Sequence, residues 1–185
     1  MDELCPDEPL AEAIALAEGD DEAGRERVAV LLGDHPADPR LHFLYGSLLA
    51  AAARYEEARA AMKRSIELAP EYEIARFQLG LLELSSGDAE AADLTLDPLA
   101  DGQSEAALAL FARGLRHLAR DDLPAAADLL RRGIGCNRDH PLVSRDMELI
   151  IASIEERLRA RDEPEEPVSA AHLLLQEYAA KSTKH

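Results

Sequence analysis

Small and apolar residues recur along this chain at one fixed interval. Gly46, Gly80 and Gly114 stand 34 residues apart. Ala58, Ala92 and Ala126 follow them by twelve residues, and Phe43, Phe77 and Phe111, the three phenylalanines of the chain, precede them by three. Pro36 and Pro70 are one period apart. Three independent columns at one period predict a repeat array rather than a single closed core. Alanine and leucine dominate and strand-forming runs of Val, Ile and Thr are missing, so each unit is predicted to be helical. Helices packed at roughly 8–10 Å leave no space for a large side chain where they cross, which assigns the glycine and alanine columns to packing.

The units begin near Cys5, Pro39, Glu73 and Ala107. The first is degenerate: Glu12 stands in the glycine column and Gly24 in the alanine column. Pro70 ends a helix, because proline disfavours helical geometry in the residue before it. Pro98 is predicted to kink or stop its helix near Asp97, leaving Pro98–Ser104 as an irregular connection. After Pro141 the columns stop, but Leu142, Met147, Ile150, Ile151, Ile154 and Leu158 keep helical spacing. Residues 141–161 are therefore expected to form a long helix covering the fourth unit. Residues 162–167 (DEPEEP) read as a linker. In 168–185, Val168, Ala171, Leu174, Leu175 and Tyr178 outline a short amphipathic helix before a polar tail, with Ser169 as a candidate cap.

The pattern resembles the tetratricopeptide repeat, whose signature is W-x-x-L-G-x-x-Y, then A-x-x-x-F, then proline. The second unit carries it as Tyr45-Gly46, Ala58-x-x-x-Met62 and Pro70; the third as Leu79-Gly80 and Ala92-x-x-x-Leu96; the fourth as Gly114 and Ala126-x-x-x-Leu130. The signature tryptophan is absent throughout. The resemblance covers about residues 5–140. It implies an all-α fold, an α-α superhelix of four helix pairs with a C-terminal capping helix. It also implies that the first helix of each unit lines a concave face. Phe43, Phe77 and Phe111 would then point into that face, with Ser47, Leu81, Leu84, Leu115 and Leu118 beside them and Leu149 extending the stripe. The alternative is that the aromatic column fills space between adjacent first helices. The lysine- and asparagine-rich clamp that some members use for a C-terminal carboxylate is missing: Phe43, Ser47, Gln78, Leu108 and Ala112 stand at the matching positions.

The formal net charge of -17 argues against a nucleic-acid partner, which needs a basic face. No stretch reaches the ~20 apolar residues of a membrane span. The acidic N-terminus is unlike a secretion signal, and two isolated cysteines suit a reducing compartment, so a cytoplasmic location is expected. The histidines have no paired spacing, and Cys136 with His140 lacks a companion pair, so no metal or cofactor is expected. Gly133-Ile134-Gly135 follows no strand and is not a dinucleotide loop. The expected function is non-catalytic: an adaptor or chaperone whose groove binds an apolar or amphipathic segment of another protein. The alternative is a structural subunit that forms a homo-oligomer through its C-terminal helix. A further expectation is that residues 168–180 dock in the groove of their own chain, reaching Phe111 and Leu149 but not Phe43.

Overall fold

The computed structural model describes residues 4–101 and 104–162. Among them the chain forms α1 (Asp7–Gly19), α2 (Asp21–Asp34), α3 (Pro39–Ala51), α4 (Tyr55–Leu68), α5 (Glu73–Ser85), α6 (Ala89–Ala100), α7 (Ala107–Ala119), α8 (Leu123–Cys136) and α9 (Pro141–Asp162). Each pairs with the next in sequence, and α5 also packs directly on α7. The linker and amphipathic helix expected at 162–167 and 168–185 lie, beyond Asp162, outside the described residues.

Local chemistry fixes where the helices start. Asp20, Asp88 and Asp122, in one column, cap α2, α6 and α8 by accepting backbone N–H groups. In the second, third and fourth units the turn before the second helix contains a left-handed residue. Gly87 takes that geometry freely at φ 84°, whereas Ala53 (58°) and Asp121 (60°) carry a Cβ there. Pro39 and Pro141 open α3 and α9, where a missing N–H costs nothing. The start of α9 therefore keeps the repeat register, although its 22 residues outrun the other helices.

The sequence predicts a kink or stop of α6 near Asp97, but Pro98 does not stop it. The helix runs through it to Ala100, and the Asp101 N–H closes on the Asp97 carbonyl at 2.9 Å. Proline withholds an N–H from the Leu94 carbonyl, but Leu94 and Pro98 share the exposed face, where water can supply the bond. Buried Leu99 and Ala100 hold the last turn in place.

The small columns act as the sequence implies. A Cβ on Gly80 would lie 2.5 Å from Leu96 Cγ, and one on Gly114 2.7 Å from Leu130 Cδ2. The degenerate first pair crosses elsewhere: the close approach is Gly24 against Ala17, whose Cα a Cβ would meet at 2.5 Å. Glu12 is thereby freed to sit at the surface, 3.5 Å from Arg27.

Ion pairs bridge successive units from matching positions with alternating sign. Arg59 and Lys63 of α4 face Asp88 (3.4 Å) and Glu83 (3.7 Å). One period on, Asp93 and Asp97 of α6 each meet Arg116 at 2.7 Å, and Arg131 of α8 then pairs with Glu155 of α9.

Candidate functional site

The first helices α3, α5, α7 and α9 share one side of the molecule, and α7 forms its floor. Phe77 and Phe111 are fully buried, with ring centroids 5.9 Å apart, and Leu115 is buried beside them in the cluster that includes Met147 and Ile154 of α9. The expectation that Phe77, Phe111 and Leu115 face a partner is therefore corrected: they are packing residues. The physical reason is that α5 packs directly on α7, and α9 extends the same core, so rings between first helices lose all contact with water. The Phe111 ring also lies where a Cβ on Gly133 would be. Gly133 thus makes room for an aromatic.

Above this floor, two cavities open between α5 and α9. The lower one, about 360 Å³, is lined by Leu81, Leu84, Ser85, Leu118, Ile150, Ser153, Ile154 and Arg157. The upper one, about 290 Å³, is lined by Phe43, Ile74, Gln78, Asp139, His140, Pro141, Leu142 and Val143. On α5, Ile74, Gln78, Leu81 and Ser85 follow at four, three and four residues, which is a single helical face. On α9, Val143, Ile150, Ile154 and Arg157 follow at seven, four and three residues, again on one face. The cavities therefore belong to one groove. Ile74 to Leu81 and Val143 to Ile150 are each seven residues, ~10 Å at 1.5 Å per residue, so on both helices lining residues of the two cavities stand two turns apart.

The other expected groove residues separate into three groups. Leu81, Leu84 and Leu118 are half-buried and line the lower cavity. Phe43 is half-buried, packs edge-on against Tyr72 at 5.4 Å and lines the upper one. Ser47 and Leu149 line neither of these two cavities. The Ser47 hydroxyl donates to the Phe43 carbonyl at 3.0 Å, and Leu149 is 66% exposed on the open edge of α9. Leu142 and Leu149 occupy the positions of Leu108 and Leu115 one period earlier, which are buried.

Sequence reasoning missed Ile74, Ser153, Arg157 and the Asp139–Val143 turn as groove residues. Phe43 of α3 and Leu142 of α9 line the same cavity. The periodicity of α9 was legible, but not which of its faces would look back at α5.

The groove is mostly apolar, interrupted by Gln78, Ser85 and Ser153, and carries charged residues at its ends. Arg157 stands at the lower end, 3.8 Å from Asp121, and Asp139 at the upper end. Asp146, between Leu142 and Ile150 on α9, is exposed and lines neither cavity. Desolvation raises its carboxyl pKa above the ordinary value, with Arg145 opposing the shift. Among the described residues there is no group of three or more His, Cys, Asp or Glu that could hold a metal. No helix among them is long and apolar enough to cross a membrane.

No family model matches the chain. The human protein named tetratricopeptide repeat protein 34 (Homo sapiens) is 40% identical over 63 residues, 34% of this chain. The matched part is 11% of that protein's own length. In structure, the chain is similar to residues 41 to the end of MamA from Desulfovibrio magneticus RS-1, at 15% identity and a TM-score of 0.57, covering 84% of this chain and 96% of that one. A second MamA crystal structure is similar at 18% identity and a TM-score of 0.54, covering 65% and 70%. These likenesses establish the fold.

Proposed function

For a chain with the tetratricopeptide-repeat fold, we propose a non-catalytic role in protein–protein interaction, in which the α5–α9 groove binds an amphipathic helical segment of another protein. The supporting observation is the pair of cavities on one stripe, with lining residues seven positions or ~10 Å apart on both helices (Ile74 and Leu81, Val143 and Ile150). That interval is two turns of helix, so anchors at i and i+7 on a bound helix fit both cavities at once. Leu81, Leu84, Leu118, Ile150 and Ile154 receive one anchor; Phe43, Ile74 and Leu142 receive the other. The acidic upper end favours a basic residue on the segment, and Arg157 favours an acidic one at the lower end. The adaptor or chaperone role and a cytoplasmic setting belong to this reading.

Displayed random helical peptides selected on the intact protein test it. Enriched sequences should carry apolar residues seven apart. Leu81→Asp combined with Ile150→Asp should weaken their binding at least tenfold while leaving helical content unchanged. Equal binding to that variant would exclude the groove.

A second reading rests on Leu142 and Leu149. Their equivalents Leu108 and Leu115 are buried, so the outer edge of α9 is a stacking surface without a next helix, which suits a second copy of the chain. Sedimentation of wild type beside Leu149→Lys, which leaves the lining of both cavities intact, separates the two readings: a change in mass supports self-association.

A further inference from the structure

We propose that α9 pairs antiparallel with α9 of a second copy, through a self-complementary seam of Leu142, Arg145, Leu149, Ala152, Glu156 and Arg159. The inference rests on the self-association reading and deepens it by naming the face, the direction and the register.

Spacing sets the seam. The six residues follow one another at three, four, three, four and three positions, the a/d rhythm of a coiled coil. All six are exposed, Leu142 at 75% and Leu149 at 66%. They stand on the side of α9 opposite Val143, Met147, Ile151 and Ile154, which are buried. A second helix of the repeat type does not fit against this side. Glu148 stands one period after Gly114, in the column where a close crossing needs glycine. Side chains packed as knobs into holes need no such glycine.

Charge selects the direction. In an antiparallel pair with its two-fold axis between Ile150 and Ile151, Leu149 meets the partner's Ala152 and Arg145 meets the partner's Glu156. Leu142 lies under the aliphatic stem of the partner's Arg159, and the axis repeats each contact. A parallel pair would set Arg145 against the partner's Arg145 and Glu156 against the partner's Glu156. Within the chain, the ion pairs of α9 among the described residues use Glu155, Arg157 and Arg161, which leaves Arg145, Glu156 and Arg159 to the seam. Along one flank Glu148 faces the partner's Glu155, a carboxylate that Arg131 already neutralises in each copy.

The seam points away from Val143, Ile150 and Ile154, so pairing leaves both α5–α9 grooves open; only Leu142, at the edge, belongs to the seam and to a cavity. A dimer therefore presents two grooves, and a partner with two binding segments gains avidity without any new contact. With two leucines and one alanine per copy, the contact falls below the ~1,200 Å² of a standard interface, so the association is reversible and concentration-dependent.

Charge exchange in the full chain, followed by sedimentation over a concentration series, tests the seam. Wild type should approach the mass of a dimer. Arg145→Glu and Glu156→Arg should each weaken the dimer at least about tenfold, and both together in one chain should restore it to within about threefold. Helical content should not change, because both positions are exposed. Direction is read from a spin label at Ala160→Cys, in a Cys136→Ser background because Cys136 is exposed and Cys5 is buried. The label should lie about 30 Å from its copy, whereas a parallel pair would bring the two within about 10 Å. The short distance, a mass beyond the dimer, or a double exchange that fails to restore pairing overturns the proposal. If Leu149→Lys lowers the mass and Arg145→Glu does not, self-association stands and this seam alone fails. A monomer at every concentration up to about 1 mM removes both.

Discussion

In the C-terminal half, Phe77, Phe111, Leu115, Leu130, Met147 and Ile154 join α5 through α9 in one apolar cluster. In the N-terminal helix pair the buried apolar set around α1, α2 and the start of α3 is smaller and has no aromatic among its fully buried members. There a polar latch takes over part of the work. The Asp38 side chain is fully buried, accepts the Cys5 N–H at 2.8 Å and the Arg40 N–H at 2.9 Å, and receives the Arg40 guanidinium through two bonds. Arg40 also donates to the Cys5 carbonyl and to Asp7. One carboxylate thus caps α3 and ties down the chain entering α1. Desolvation pushes the Asp38 pKa up, but the bonds from Arg40 and from the Cys5 and Arg40 N–H groups outweigh it and hold the carboxyl below its ordinary value. The N-terminal pair therefore leans on a buried carboxylate, whereas the depressed carboxyls of the C-terminal half, Asp93 held by Arg116 and Asp121 held by Arg161, belong to surface ion pairs beside a large apolar core.

The largest expected effect tests the apolar half. Phe111→Ala should cost about 3–5 kcal/mol in denaturant unfolding, because the ring fills the space beside Gly133 and the surroundings cannot fully collapse. A loss under about 1 kcal/mol would show that the ring is not part of a packed core.

Asp38→Ala should cost about 1–3 kcal/mol, since it strands the Cys5 and Arg40 N–H groups while Arg40 itself can return to water. The loss should be local. Hydrogen exchange should accelerate in α1 and α2 and stay unchanged in α7 and α8. Uniform acceleration would erase the distinction between the two regions.

Acid should separate the halves without mutation. Because the folded Asp38 pKa is depressed, its stabilisation is fully present above the unfolded aspartate value of ~3.9 and is lost as pH falls through the lower folded value. Amide resonances of α1 and α2 should change first below about pH 4, and Asp38→Asn should remove that step. Simultaneous loss in all helices would contradict a local latch.

The smallest effect concerns the turns. Gly87 already relaxes the turn after α5, whereas Ala53 holds the same left-handed geometry after α3 with a Cβ. Ala53→Gly should raise the unfolding free energy by roughly 0.5–1 kcal/mol, offset in part by the freer unfolded chain. A decrease would mean that the unfolded-state entropy dominates.

The sequence by itself determined the repeat. The period of the glycine and alanine columns is a local demand for close helix crossings, and it places the starts of α3, α5, α7 and α9 in one register. Helical spacing in 142–158 announced α9, since amphipathic periodicity is a property of a single helix. Only the tertiary structure decided which residues of those helices meet solvent. Phe43, Phe77 and Phe111 share one column, yet the first lines a cavity and the other two are buried. Burial depends on how far the superhelix curls and on which helix comes next, and neither is written in any one repeat. Pro98 teaches the same lesson: its local cost is fixed by the backbone, but whether α6 continues depends on the core contacts of Leu99 and Ala100 and on water reaching the Leu94 carbonyl. The groove itself exists because α9 returns opposite α5 across α7, a relation between elements more than fifty residues apart that no local pattern encodes.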